Sequence, residues 1–288
     1  MDQVRPPAWV DPAIACSILQ GIWVALSATA VASLVVPQLH ALSLHGRFSS
    51  PSRPLMVWKG YFGIFYALGW IWNGLVLCWV WDPLSTAALV AECAPALVDV
   101  VLSTASVNGP TLLCLIVLQC HLFRRTMESW AITEFGSSTM HASACLLGVG
   151  HYMLVSLSIV LDPSATSPIE LTPFTIVCGV AGLGLFVVAS VHQMRCNLVL
   201  AQLKRAGGYS LPSGDWFELT WSPLYLAEIL IYASLALLTA GRHLSLVYIA
   251  LWVAVNQGIS AERAAAWYKV TFPAAASMRR ATLFPGLW

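Results

Sequence analysis

The stretch AGGYSLPSGDWFELTWSPLYLAEILIYASLAL, residues 206–237, decides how the chain is read. Its first half holds two pairs of helix breakers, Gly207–Gly208 and Pro212 with Gly214, together with Asp215 and Glu218. Its second half is an apolar run with Glu228 inside it. A carboxylate kept in hydrocarbon is costly unless it faces a polar partner or a cavity. Glu228 is therefore expected to point inward. The segment Gly207–Gly214 is expected to form a lid that leads into the helix carrying it.

The rest of the chain supplies the frame. Of 288 residues, 58% are hydrophobic and 9% charged, with mean hydropathy +0.76. Soluble domains carry about a quarter charged residues, so a polytopic membrane protein is expected. A span needs about 20 mostly apolar residues. Seven runs qualify: Ala13–Val36, Val57–Val80, Thr111–Trp130, Thr139–Leu161, Thr172–Val191, Ser222–Ala240 and Leu244–Ser260. The expected fold is all-α, a seven-transmembrane helix bundle forming one membrane domain over residues 1–288. Pro95–Ser106, less apolar, reads as a re-entrant or interfacial helix. Met1–Pro12 carries Asp2 and Asp11 in place of a basic n-region, so no cleavable signal peptide is expected.

Charge orients the bundle. The connections after spans one, three, five and seven hold Arg47, Arg53 and Lys59; Arg124 and Arg125; Arg195, Lys204 and Arg205; and Arg263, Lys269, Arg279 and Arg280. Asp82, Glu92, Asp99, Asp162 and Glu170 fall on the opposite side, with Arg5. Positive charge stays cytosolic, which places the C-terminus in the cytosol and the N-terminus in a lumen.

Polar residues near the span ends are the candidates for function. In QCHLFRRTMESW, residues 119–130, His121, Arg125 and Glu128 share one helical face. That face reads either as a site or as an anchor with Arg125 paired to Glu128. Gln193, Asn197 and Lys204 form a second stripe at helical spacing. Amide donors and a cation suit a ligand with phosphates and an amide; a solvated helix running past the membrane fits the spacing equally well. GVAGLG, residues 179–184, has no preceding strand, fails as a dinucleotide fingerprint and reads as helix packing. The eight cysteines show no metal-ligand spacing. No metal site is expected, and most cysteines are expected to fill helix interfaces.

Taken together, these segments resemble the steroid 5α-reductase family, most closely its polyprenol/polyprenal reductase branch. The resemblance rests on HLFRR with Glu128 three residues on, MHASACLLGVGHYMLVSLSI (140–159), YSLPSGDWFE with SPLYLAEILIY, and NQGISA, WYK and the closing LFPGLW. It covers about Val57 to Trp288; residues 1–56, the first span and a basic loop, are only generically similar. The family implies an endoplasmic reticulum membrane protein with NADPH held in the cytosolic half of the bundle. Positions matching its cofactor contacts are Arg125, Gln193, Asn197, Lys204, Tyr209, Glu228 and Tyr268. Ser210, Leu224 and Ala264–Ala266 depart from the family's usual Arg, polar residue and His.

The chemistry constrains the substrate. Hydride adds readily to a carbon–carbon double bond only when the developing negative charge is delocalised. An α,β-unsaturated aldehyde offers its oxygen for this; an allylic alcohol does not. A polyprenal, with a long isoprenoid tail in the lipid, is therefore the expected substrate on the route to dolichol. The protein must place a donor at the aldehyde oxygen, and His121 or Tyr66 is expected to supply it. Steroid-reducing relatives carry a tyrosine where Leu122 stands, which weighs against a 3-oxo-Δ4 steroid substrate. An isoprenylcysteine-type methyltransferase and a catalytically lapsed lipid-binding protein are further alternatives. Nucleic acid is not an expected partner.

Overall fold

The computed structural model describes residues 11–36, 55–104, 106–207 and 210–287. Among the described residues the structure is 76% helical. In chain order its helices are α1 (Pro12–Ala32), α2 (Phe62–Trp81), α3 (Pro83–Cys93), α4 (Val98–Ser103), α5 (Gly109–Ala131), α6 (Ala142–Val160), α7 (Pro173–Arg205), α8 (Pro223–Leu238) and α9 (Leu244–Thr271). A two-stranded antiparallel ribbon joins β1 (Met56–Trp58) to β2 (Thr139–His141), with Val57 opposite Met140.

Polar caps followed by proline start several of these helices. Asp11 accepts from Ala13 N, Asp82 from Ser85 N and Asn108 from Thr111 N, while Thr172 and Thr175 cap each other at the head of α7. Each cap satisfies backbone donors that a helix start leaves open. Proline at the first turn loses nothing there, because its missing N–H has no intrahelical partner.

Among the described residues, five helices are long and apolar enough to cross a membrane: α1, α2 with the turn before it, α6, α7 and α9. Helix α8 is apolar but 16 residues long. Helix α5 has 23 residues, but its last two turns carry Arg124, Arg125 and Glu128. Several segments differ in detail from the sequence reading. Val57–Trp58 and Thr139–His141, expected to start helices, form the ribbon instead. Pro95–Ser106 resolves into a 3-10 turn and the short α4, preceded by α3. Helices α7 and α9 continue well beyond their expected ends, to Arg205 and Thr271.

Close helix approaches explain some of the glycines. A Cβ at Gly69 of α2 would lie 2.7 Å from Tyr152 Cβ of α6, and one at Gly182 of α7 would lie 3.0 Å from the α8 backbone. Gly182 is thus the packing residue of GVAGLG, while Gly179 and Gly184 meet nothing nearby. Three cysteines (Cys16, Cys114 and Cys196) are buried, Cys145 and Cys178 are half-buried, and Cys78, Cys93 and Cys120 face outward.

Buried polar bonds fix the register. Asn73 of α2 donates to Leu115 O and Gln119 Oε1 of α5 and accepts from Ser156 Oγ of α6, at 2.8–3.0 Å. Trp23 Nε1 of α1 donates to Ser158 Oγ of α6 at 2.9 Å. At the end remote from the basic residues, Asp162 accepts from Ser164 and from Ser245 N and Oγ, tying the end of α6 to the start of α9. Burial would raise the Asp162 carboxyl, but His243 and these bonds outweigh it and hold its pKa below the ordinary value.

Candidate active site

The ends of α2, α5, α7 and α9 that carry the basic residues enclose a cavity of about 960 Å³. That lies at the upper end of the roughly 300–1,000 Å³ usual for ligand pockets. Helix α1 and its C-cap contribute Leu26, Thr29, Ala30 and Ser33 to its wall, and α6 contributes Leu147, Gly148, His151 and Tyr152. Polar groups gather on the side formed by α5, α7 and α8; apolar and aromatic groups dominate the side formed by α1, α2 and α6.

Glu228 is 7% exposed and does face inward. Its Oε2 accepts from Gln193 Nε2 at 2.6 Å, and its Oε1 lies 3.4 Å from His121 Nε2. Gln193 Oε1 in turn accepts from Arg124 Nη2 at 2.6 Å. Glu128, 2% exposed, bridges Arg124 and Arg125; the Arg125 Nη1 contact is 2.5 Å. Asn197 Nδ2 donates to Thr133 Oγ1 at 3.0 Å and to Glu128 Oε2 at 3.5 Å. The two stripes seen in the sequence are thus one network. The arginines of α5 are held by Glu128, and the amides of α7 join them to Glu228 of α8.

Tyr66, Arg125, Gln193, Asn197, Lys204, Glu228 and Tyr268 all line the cavity. His121 does not. It is fully buried behind the wall, with Arg124 Nη2 3.2 Å from its Nδ1. In that place its Nε2 faces the Glu228 carboxylate. Tyr209 lies outside the described residues.

Several cavity residues escaped the sequence reading. His151 and Tyr152 of α6 and Tyr232 of α8 sit beside Tyr66, with ring centroids 4.9–5.6 Å apart along the series. His151 Nε2 is 2.9 Å from Tyr232 Oη, and Arg125 Nη2 donates to Tyr66 Oη at 3.3 Å. Two signals were present. His151 is an ionisable residue inside a span, and Tyr232 follows Glu228 by one helical turn.

The segment after α7 closes the basic end. Ser210, Pro212 and Phe217 line the cavity. Gly214 at φ +90° and Asp215 at φ +52° turn the chain, a region that costs a non-glycine residue energy. Asp215 Oδ1 is anchored 2.6 Å from His192 Nδ1 of α7. Burial would raise this carboxyl, but His192 and Trp216 N bring it below its ordinary value. Arg280 secures the other side, donating to Pro212 O at 2.8 Å and lying over the Trp221 ring. Trp221 stacks on Tyr268, with 5.7 Å between centroids.

Residues 165–288 match the family described as 3-oxo-5-alpha-steroid 4-dehydrogenase. The polyprenal reductase of Xenopus tropicalis is 30% identical over 70% of this chain and 71% of its own length. That of Homo sapiens is 28% identical over 92% and 94%. Polyprenal reductase 1 of Arabidopsis thaliana is 23% identical over 94% and 98%. The helical membrane fold, the buried polar cavity and these relatives define the class: a membrane-embedded oxidoreductase acting on a CH–CH group. The chain belongs to the steroid 5α-reductase family.

Proposed function

We propose that the chain reduces the α-isoprene double bond of polyprenal, on the route to dolichol for protein glycosylation, with NADPH as cofactor. One observation carries the reading. A single cavity joins a fixed carboxylate–amide–arginine network to a cluster of tyrosine hydroxyls, beneath an apolar wall.

The residues suit the cofactor. Arg125 Nε and Trp221 Nε1 are buried donors that find no acceptor among the described residues, and both side chains belong to the cavity wall. A ligand bearing phosphates and amides supplies acceptors of that kind. Gln193, Asn197 and Glu228 offer hydrogen-bond partners to a carboxamide. Arg125 and Lys204 offer charge to phosphates, and Tyr268 with Trp221 offers an aromatic face to a base. Tyr209, outside the described residues, is assigned to the same site on the family resemblance alone. When bound, NADPH supplies the hydride that goes to the β-carbon of the enal.

The protein's part is to bind, orient and stabilise. The enal oxygen, where negative charge develops, is placed at the tyrosine cluster that includes Tyr66. Preorganised donors there act in a low-dielectric site and need no rearrangement. His121 acts indirectly, by holding Glu228. Leu26, Leu147 and Phe65 leave an apolar path for the isoprenoid tail. Overall, enal, NADPH and one proton give the saturated aldehyde and NADP⁺.

The proposed topology has seven crossings, with α5 and α8 completing the five long helices. The basic end and the C-terminus then face the cytosol, as the positive-inside rule requires, in the endoplasmic reticulum membrane. The test is reduction of polyprenal by membranes containing the chain, with NADPH, NADH and a steroid enone as comparisons. NADPH-dependent loss of the enal absorbance is expected. No turnover by folded protein would exclude the reading.

A further inference from the structure

Hydrogen-bond direction around His151 singles out one hydroxyl. Trp252 Nε1 of α9 donates to His151 Nδ1 of α6 at 3.3 Å. An indole N–H only donates, so Nδ1 holds the lone pair and the proton of the neutral ring sits on Nε2. A doubly protonated ring would set two donors against each other at that contact. Trp23 and Tyr152 pack edge-to-face with the ring, at centroid distances of 5.4 and 4.9 Å, and hold it in place. Its Nε2 lies 2.9 Å from Tyr232 Oη of α8. With the tautomer set, Nε2 donates and the tyrosine oxygen accepts. The Tyr232 proton is left to donate elsewhere.

Position points to the acceptor. Tyr232, His151 and Trp252 all line the cavity. Glu228, the one carboxylate of α8, is bonded by Gln193 and faced by His121. Tyr232 follows it by four residues, so the two side chains share a face of the helix, about 6 Å apart along its axis. Gln193 and Glu228 are assigned above to the carboxamide of the cofactor, which sets Tyr232 beside the point where hydride leaves. The enal oxygen is two carbons removed from the β-carbon that receives it. Tyr66, by contrast, accepts from Arg125, whose guanidinium also covers its ring at 4.9 Å, on the side assigned to phosphates.

We propose that Tyr232 is the catalytic donor to the aldehyde oxygen of the enal, and that His151 and Trp252 are positioning residues that turn its proton outward. The proposal rests on the polyprenal reductase reading and names the donor that reading leaves open. As the β-carbon gains hydride from the cofactor, the double-bond pair shifts to the bond between the α-carbon and the carbonyl carbon. The carbonyl pair moves onto oxygen. The Tyr232 O–H bond stays intact and shortens its hydrogen bond to that oxygen. A proton from water then adds at the α-carbon, and the carbonyl re-forms. The bond accepted from His151 polarises the Tyr232 hydroxyl, since chained hydrogen bonds reinforce one another at low dielectric.

The experiment compares kcat for polyprenal with the NADPH Kd in vesicle-embedded protein. Tyr232→Phe is expected to lower kcat by about 10²–10³-fold, the cost of losing an oxyanion donor, with the NADPH Kd unchanged. Tyr66→Phe is expected to cost about fivefold, the loss of one supporting bond. His151→Leu removes both bonds of the ring and is expected to lower kcat by about tenfold. His151→Gln offers an oxygen to Trp252 and an N–H to Tyr232, and is expected to recover most of that loss. Wild-type kcat in Tyr232→Phe, or a larger loss in Tyr66→Phe, overturns the assignment. Should Tyr232→Phe fail to bind NADPH, the His151 pair decides: a higher kcat in the Gln variant at constant Kd supports the wiring, and equal kcat in the two overturns it. Wild-type protein that binds NADPH yet leaves polyprenal untouched fails the enzyme reading itself and takes this assignment with it.

Discussion

Glu228 shows how much one residue organises. Its carboxylate is bonded by Gln193 and faced by His121, and through Gln193 it reaches Arg124 and Glu128. Removing a hydrogen-bonded charge from a buried network costs more than removing a neutral partner. Glu228→Gln is therefore expected to weaken NADPH binding by about tenfold or more, from a loss of roughly 1.5–3 kcal/mol. Asn197→Ala is expected to weaken it less, with the fold retained in both. Intrinsic-fluorescence titration measures this, and wild-type Kd values in both variants would remove the network from the cofactor site. The inward direction of Glu228 was legible because the cost of an unpaired charge in lipid leaves no other outcome. The position of His121 was not. Helical spacing places His121, Arg125 and Glu128 on one face, but it does not say which of them reaches the cavity and which packs behind its wall.

At the scale of elements, two contacts hold the tyrosine cluster in place. Gly69 lets α2 meet α6 at Tyr152. Gly69→Ala would force the helices apart, and overpacking of this kind costs about 1–3 kcal/mol; a lower unfolding temperature and reduced turnover are expected together. Asp162 joins α6 to α9 at the far end. Its folded pKa lies below the ordinary value of 3.8, so its contribution is complete above that value and is lost as pH falls through the folded pKa. The unfolding temperature of wild type should therefore exceed that of Asp162→Asn at pH 6, with the gap closing in strong acid. A gap independent of pH would assign the effect to packing. The caps at Asp11, Asp82, Asn108 and Thr172 are readable from the sequence because proline follows each of them within two residues. The β1–β2 ribbon is not, since a three-residue apolar strand and the first turn of an apolar helix have the same hydropathy.

The molecule as a whole is a bundle whose basic end holds the cavity and whose other end is closed by buried polar ties. The orientation proposed here makes a direct expectation. A glycan acceptor inserted between Thr166 and Glu170 is expected to be modified in the lumen, whereas one appended after Trp288 is expected to stay unmodified. Modification of the C-terminal acceptor would reverse the bundle. Hydropathy and charge revealed the class of fold, because both are sums over long segments. They did not reveal Tyr152, His151 and Tyr232, whose few polar atoms are outweighed by the apolar runs around them; only the crossing of α2, α6 and α8 brings these side chains together. The most direct test of the account is the reduction of polyprenal by purified, vesicle-embedded protein. Stoichiometric NADPH oxidation with formation of the α-saturated aldehyde is the expected result. Folded protein that binds NADPH and leaves the enal intact would contradict it.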